Sequence, residues 1–394
     1  MKKFKNIIAV IGGAGRVGLP LSVKLALEGN YVYVYDKNTF FNEKANQGIF
    51  PFKEENGDKY LKQALKNKTI NFNTKTEDLK KADIFIFAIG TPIDNHLNPN
   101  FHLVDELVSE FADFFEKNNH VIFRSTVYPG FSKEFFKKVK NKKIHYSFCP
   151  ERIVEGKAFT ELEKLPQIIS SYSDEGLKKS AEIFNFAKKT IQVEVLEAEY
   201  IKLFNNAWRY IKFACANQFF MLANNEGLDF AKIHKAMTDD YDRASDFPHA
   251  GLAAGPCLYK DTAQLSTFTN DFILGHSAIS INEGLPLYIV KKLESKYELG
   301  TKKILILGMA FKKESDNIRD SLTVKLKRLL EIKAREVLCF DPYIEKYSKP
   351  EVSTLITQAD IIILGTNHDI FKNLDYKNKP VIDISNFLDK GTLL

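Results

Sequence analysis

Four short apolar runs, NIIAVIG, YVYVYD, ADIFIFAIGT and HVIFRST, punctuate the chain before Val127. The stretches between them, such as LPLSVKLALEG and LVDELVSEFADFFEKN, repeat apolar residues at helical spacing. Runs that are apolar throughout read as strands buried on both faces. Strand alternating with helix then implies a parallel sheet covered by helices on either side. From about Ala198 the alternation stops. AEYIKLFNNAWRYIKFACANQFFMLANNEG is one long helical run closed by a glycine, and helical spacing continues to about Tyr297. After Gly300 the alternation returns with KKILILGMAF, EVLCFDP, ADIIILGT and PVIDIS. The echo between Ala82–Thr91 and Ala359–Thr366 points to two sheet domains of similar build flanking a helical middle.

The first strand runs into GGAGRVGLP, where Gly13, Gly15 and Gly18 fit GxGxxG between strand and helix. Such glycines let the backbone turn tightly and approach a pyrophosphate, which the helix N-terminus stabilises. Asp36 ends the second strand, where a carboxylate accepts hydrogen bonds from a ribose diol and repels a 2′-phosphate, so NAD is expected over NADP. The competing interpretation is a tight glycine turn beside a surface aspartate. The fold expected is α/β: two Rossmann-like doubly wound parallel-sheet domains joined by a central helical domain with a long helix. The divisions are an NAD-binding domain over 1–197, a central helical domain over 198–298 and a second sheet domain over 299–394. That second domain has a single glycine in ILILGMAFKKESDNIRDS, followed by charges. Lys312, Lys313 and Arg319 there could receive a diphosphate, or form a solvated loop.

The 394 residues carry a net charge of +6 spread along a Lys- and Asn-rich chain, which favours a solvated surface over nucleic-acid binding. The four cysteines form no CxxC pair and the eight histidines no HExxH, which argues against a metal site or a disulfide framework and for a reducing compartment. The lysines before the first apolar run superficially resemble a signal peptide, but the run is short and contains glycines, as a buried strand does. No apolar stretch approaches the ~18 residues that span a membrane. A cytoplasmic protein is expected.

Two further features carry chemistry. Lys202 and Asn206 are four residues apart on the long helix, hence on one face, among apolar neighbours. A lysine so placed is ordinarily a surface residue with a buried stem. Cys257 lies among small residues in HAGLAAGPCLYKDTAQL, either a nucleophile or a small buried apolar residue.

Taken in order, GxGxxGLP, GTP at Gly90–Pro92, STVYPG at Ser125–Gly130, CPERIVEGKA at Cys149–Ala158, AEYIKLFNN at Ala198–Asn206, GPCLYKDT at Gly255–Thr262 and GMAFKKESDNIRDS at Gly308–Ser321 resemble the nucleotide-sugar 6-dehydrogenases. The resemblance covers essentially the whole chain. It implies two hydride transfers to NAD that oxidise a sugar 6-hydroxymethyl group to a carboxylate. Cys257 would attack the intermediate aldehyde, giving a thiohemiacetal and then a thioester. Lys202 would supply positive charge to the developing oxyanion, with Asn206 as a neutral donor. Asp261 would position the lysine or a water, Thr126 would hold a water, and Glu151 would activate water for thioester hydrolysis. For Glu151 the alternative is a salt bridge with a neighbouring basic residue. By the same resemblance the cofactor contacts are Gly13, Gly15, Arg16, Val17, Gly18, Asp36, Gly90, Thr91, Pro92, Ser125 and Thr126. The substrate contacts are Arg152, Ile153, Val154, Glu155, Lys202, Asn206, Arg209, Gly255, Lys260, Phe311, Lys312 and Arg319.

The chain departs from the family's pattern in places. Ala254-Gly255-Pro256 precedes Cys257 where two glycines are common, Arg124 replaces a lysine, Phe131 a threonine, and Asn217-Gln218 an NE pair. Arg152 of PER and Arg209 of NNAWRY resemble the UDP-N-acetylhexosamine branch, with UDP-glucose next and GDP-mannose third. The implied product, a nucleotide-linked uronic acid, feeds surface polysaccharide synthesis. A non-catalytic regulator binding NAD or a nucleotide sugar is a remote alternative, which would need neither thiol nor lysine. A one-step hydroxyacid dehydrogenase would need neither Cys257 nor the second sheet. Phe204, Trp208, Phe213, Phe219 and Phe220 on the long helix point to a homodimer face, with core packing the alternative. The active site is expected between the sheet domains, at the carboxyl ends of the strands.

Overall fold

The computed structural model describes residues 4–91, 100, 102–252, 255–268 and 271–394, and the chain falls into two compact units, Met1–Phe204 and Asn205–Leu394. In the first unit β1 (Ile7–Ile11), β2 (Tyr31–Tyr35), β3 (Ile70–Asn71), β4 (Ile84–Phe87), β5 (His120–Phe123) and β6 (His145–Phe148) form one sheet. Its order is β3-β2-β1-β4-β5-β6, and every neighbouring pair is parallel. This is the strand order of dinucleotide-binding sheets, and its direction reverses between β1 and β4, where a crevice opens at the carboxyl ends. Successive residues of one strand enter opposite cores. Ile8, Val10, Ile84 and Ile86 pack on one face, and Ala9, Ile11, Phe85 and Phe87 on the other. Burial on both faces is why these strands are apolar throughout.

The strands β7 (Gln167–Ile169) and β8 (Thr190–Gln192) pair in parallel as a small separate sheet. The second unit holds β9 (Lys303–Leu307), β10 (Glu336–Phe340), β11 (Ile361–Leu364) and β12 (Val381–Ile382) in the parallel order β10-β9-β11-β12. The same alternation recurs: Ile304, Ile306, Ile361 and Ile363 enter one core, Leu305, Leu307, Ile362 and Leu364 the other. Both sheets use a left-handed glycine at the switch point. Gly12 (φ +78°) and Gly308 (φ +86°) lie so close to the neighbouring strand end that a Cβ would fall 2.6 Å from the Ala88 carbonyl oxygen and 2.3 Å from that of Thr366.

The long helix spans Val195–Asn225, the end of the first unit and the start of the second. It stops at Gly227 (φ +71°), where the Leu228 N–H reaches back to the Ala223 carbonyl at 2.9 Å, a glycine-mediated stop. Among the described residues no strand lies between β8 and β9. Of the aromatics on this helix, Phe204, Trp208 and Phe219 are 56, 57 and 43% exposed, whereas Phe220 is wholly buried against Phe230 and Tyr288. Among the described residues no helix is long and apolar enough to cross a membrane.

Candidate active site

The glycine loop follows β1 directly. Gly18 packs so tightly that a Cβ would lie 2.0 Å from the Gly12 carbonyl, and one on Gly13 would lie 2.7 Å from that of Val10. A Cβ on Gly15 would meet only the Gly12 carbonyl, at 3.4 Å, so this glycine leaves its outer side open for a ligand. Arg16 and Val17 complete the turn into the helix Gly18–Leu27, whose N-terminal N–H groups favour an anion. A cavity of about 380 Å³ opens beside the loop, lined by Gly12, Gly15, Asp36, Gly90, Leu107 and Phe111, in the size range of small-molecule sites. Asp36 follows β2. Its Oδ2 accepts the Ala14 N–H at 3.0 Å and its Oδ1 the Asn38 N–H at 2.9 Å, which fixes the carboxylate at the cavity edge. A backbone loop open to a pyrophosphate, a carboxylate for a ribose diol and an apolar wall for a base together fit a dinucleotide. Gly12 and the Leu107–Phe111 wall were not among the residues expected from sequence.

Asp36→Ala is expected to weaken NAD binding about 10- to 100-fold, the worth of a charge-assisted hydrogen bond, and to narrow the preference for NAD over NADP. Steady-state KM values with each cofactor check this. An unchanged NAD-to-NADP ratio would remove Asp36 from the ribose site.

At the ends of β4 and β5, the Ser125 hydroxyl donates to the Ile89 carbonyl at 2.8 Å and that of Thr91 to the Thr126 carbonyl at 2.5 Å. Gly90, Thr91, Ser125 and Thr126 are thus drawn together. Pro92 lies outside the described residues. Glu199, one helical turn before Lys202, accepts with its two carboxylate oxygens the N–H groups of Gly130 at 2.7 Å and Ser132 at 2.8 Å, at the start of the helix Phe131–Val139. The stretch of helix that precedes Lys202 is thereby tied to the segment that follows Thr126. Burial pushes the Glu199 carboxyl up, and these donors offset only part of that.

The segment Glu151–Glu155 is pinned by carboxylates at several points. Glu151 is buried. Its Oε1 accepts the N–H groups of Arg152 at 2.6 Å and Ile153 at 2.9 Å, and its Oε2 receives the guanidinium of Arg124. The Val154 N–H donates to Glu161 at 2.6 Å, and Glu54 accepts from Gly156 and Ala158 at 3.0 and 2.7 Å. Arg16 and Glu155, one expected at the cofactor and one at the substrate, form an ion pair at 3.6 Å. Arg152 donates to the Pro166 carbonyl, and burial lowers its pKa. Arg124 is 1% exposed. It also donates to Gln167 at 3.0 Å and the Cys149 carbonyl at 3.3 Å, and stacks over Phe184. Burial raises the Glu151 carboxyl, but the Arg124 charge and the two backbone donors outweigh it and leave the pKa below the usual range. The salt bridge weighed against a catalytic Glu151 is therefore present, and its partner is Arg124.

In the second unit Cys257 is exposed in the first turn of the helix Pro256–Phe268, where the positive end of the helix dipole favours negative charge. Asp261, one turn on, is fully buried. Its Oδ2 accepts the Asn206 amide at 2.6 Å, and Lys260 stands 3.5 Å from its Oδ1. Asn206, Cys257, Lys260 and Asp261 thus form one group. Gly255 (φ +117°) lies against Phe311, where a Cβ would come within 2.5 Å of the ring. The Lys312 ammonium sits 5.8 Å from that ring, and Arg319 is oriented by Asn317 at 3.2 Å. Arg209 is exposed on the long helix.

A dinucleotide sheet, a second α/β sheet with its own glycine turn, and a cysteine helix anchored through Asn206 define a class, the NAD-dependent dehydrogenases. Models of the UDP-glucose/GDP-mannose dehydrogenase family match the chain as NAD binding domain over residues 6–188, central domain over 196–283 and UDP binding domain over 305–390. The chain belongs to that family. It is 28% identical over 404 residues to the UDP-N-acetyl-D-mannosamine dehydrogenase of Pyrococcus horikoshii, covering 97% of this chain and 96% of that one. The solved UDP-D-ManNAc dehydrogenase from the same organism superposes with a TM-score of 0.90 at 26% identity, covering 98% and 97% of the two chains. The fold is shared with the UDP-glucose dehydrogenase of Pyrobaculum islandicum, with a TM-score of 0.91 at 24% identity over 100% of this chain and 97% of the other.

Proposed function

We propose that the chain oxidises the 6-hydroxymethyl group of a UDP-N-acetylhexosamine to the carboxylate, through a thiohemiacetal and a thioester on Cys257. The observation that carries this reading is the buried Asn206–Asp261 pair one helical turn from an exposed cysteine at a helix N-terminus. NAD held at the glycine loop and Asp36 would supply the hydride acceptor for each of two successive oxidations at C6, one NAD per hydride. The Cys257 thiolate adds to the aldehyde carbon, and the resulting alkoxide is stabilised by the charge of Lys202 and the amide of Asn206. The second hydride loss leaves an acyl group on sulfur. Water, held by Thr126 and relieved of its proton by Glu151, then adds to the thioester, the C–S bond breaks and the thiolate leaves. Asp261 orients Asn206 and the attacking groups.

Residues 1–197 are assigned to NAD, 198–298 to catalysis and pairing, and 299–394 to the nucleotide sugar. The exposed Phe204, Trp208 and Phe219 support a homodimer through the long helix. The buried Phe220 belongs to the core, not to that face. The product would be consumed by cytoplasmic synthesis of a surface polysaccharide. UDP-glucose is the second candidate.

The test is NADH yield from limiting UDP-N-acetylglucosamine, UDP-N-acetylmannosamine, UDP-glucose and GDP-mannose. Two NADH per sugar from one UDP-N-acetylhexosamine is the expected result. One NADH per sugar, or none from any of the four, sinks the proposal.

A further inference from the structure

The two sheets end their second strands in the same way, with an aspartate, but use it differently. Asp36 holds the glycine loop and still lines a cavity. Asp341, after β10, is fully buried and spent. Its Oδ2 accepts the N–H groups of Met309 at 2.7 Å and Ala310 at 2.9 Å and faces His368 Nε2 at 3.2 Å, while its Oδ1 accepts the Tyr343 N–H at 2.8 Å. Burial pushes this carboxyl up, and His368 with the backbone donors more than offsets it, so it stays ionised. At 0% exposure it is out of reach of a ribose diol. The loop that follows β9, from Gly308 to Arg319, is then the candidate part of this domain for gripping a nucleotide.

That loop's shape depends on His368, which follows β11 and is fully buried. Its Nδ1 accepts the Glu314 N–H at 2.9 Å, so the neutral ring carries its proton on Nε2 and donates to Asp341. Glu314 sits at φ +55°, a conformation that persists only where its surroundings impose it. Here they do. Its carboxylate takes the Tyr343 hydroxyl on one oxygen and the Asp369 N–H, at 3.0 Å, on the other. Further along, the Phe311 N–H reaches the Asn317 carbonyl at 3.0 Å, closing the loop on itself. His368 is thus joined directly to the middle of the loop and, through Asp341, to its start.

We propose that His368 is a positioning residue for the uridine diphosphate site, holding the Gly308–Arg319 loop in its binding shape by accepting the Glu314 N–H. The proposal rests on this sheet being the UDP-binding one, and not on the course of the oxidation.

Two amides separate the ring's two contacts. His368→Asn puts an acceptor oxygen near the place of Nδ1, whereas His368→Gln puts its amide near Nε2 and leaves the Glu314 N–H without an acceptor. Titration calorimetry with UDP and with NAD is the measurement. For His368→Gln the UDP Kd is expected to rise about tenfold or more with the NAD Kd within about twofold of wild type, and for His368→Asn the UDP Kd should stay within about threefold. At saturating sugar the Gln variant should keep its kcat, the loss appearing in KM. Equal UDP affinity in wild type and Gln variant, equal losses in both variants, or no UDP binding by wild type overturns the inference. A wild type that binds UDP, with the Asn and Gln variants separating as expected, upholds it even if no sugar yields two NADH, so the two readings fail separately.

Discussion

Cys257→Ser is expected to lower the yield from two NADH per sugar to at most one, and to reduce kcat for the complete oxidation by about 10⁴-fold or more, the cost of deleting a catalytic nucleophile. The first hydride leaves an alcohol carbon and needs no thiol. The second must leave a carbon already attacked by a nucleophile. A few per cent of an ordinary thiol is ionised near pH 7, whereas a serine hydroxyl is not. The first turn of the Pro256–Phe268 helix adds backbone N–H groups that favour the anion. The oxygen variant therefore stops at the aldehyde. Intact-protein mass spectrometry supplies the second readout: wild type quenched during turnover carries a sugar-nucleotide adduct, and the variant carries none. A serine variant that still returns two NADH per sugar would make Cys257 structural and the thioester untenable.

How far the sequence alone reaches can be seen strand by strand. The strands buried on both faces announce themselves, because every position must be apolar: Ile84–Phe87 and Ile361–Leu364 contain nothing else. The strands that did not stand out are β3, β6, β7 and β8. Of these, β3 is two residues long and β8 is exposed along its length. In β6, Ser147 replaces an apolar residue and hydrogen-bonds His120 at 2.8 Å and Ser180 at 3.0 Å inside the core. A polar core triad leaves no apolar signature. The same holds at the site. Glycine spacing and a strand-ending aspartate mark the cofactor loop because the backbone needs those residue types at fixed intervals. Glu54, Glu161 and Glu199 carry no such mark, since each acts by capping backbone N–H groups 67 to 104 positions away or, for Glu161, seven. Contacts of that kind exist only once the fold has formed. In the sequence Arg124 is simply an arginine where the family commonly has a lysine. Its planar fork in fact reaches Glu151, Gln167 and the Cys149 carbonyl together, which a single ammonium cannot do at the same geometry.

That fork sets the second large effect. Arg124→Met leaves Glu151 buried with two backbone donors and no countercharge, and breaking a buried pair from one side costs about 3–5 kcal/mol. For a unit of this size the loss lowers its melting temperature by roughly 10 °C. The pH dependence gives the sign. In wild type Glu151 titrates below its unfolded value, so the stability it contributes is present above that value and fades as pH falls through the depressed folded pKa. In the variant only the two backbone donors still oppose burial, the largest influence on this carboxyl, and the folded pKa is expected to move above the unfolded one. The variant's own contribution is then greatest at low pH and is lost as pH rises. The gap between the two proteins should therefore be widest near pH 7 and narrow toward pH 4. Melting curves of both across that range measure it. Arg124→Lys should fall between them, since one ammonium can neutralise Glu151 but cannot also hold Gln167 and the Cys149 carbonyl. The double variant Arg124→Met, Glu151→Met removes both charges and should recover much of the loss, because an apolar pair owes no desolvation. Activity separates the roles of the pair. If Glu151 relieves the hydrolytic water of its proton, the double variant regains stability but accumulates the Cys257 thioester, detectable as the mass adduct. If Glu151 only pins the Arg152–Ile153 backbone, the double variant clears its thioester at the wild-type rate and shows the damage in the KM for the sugar.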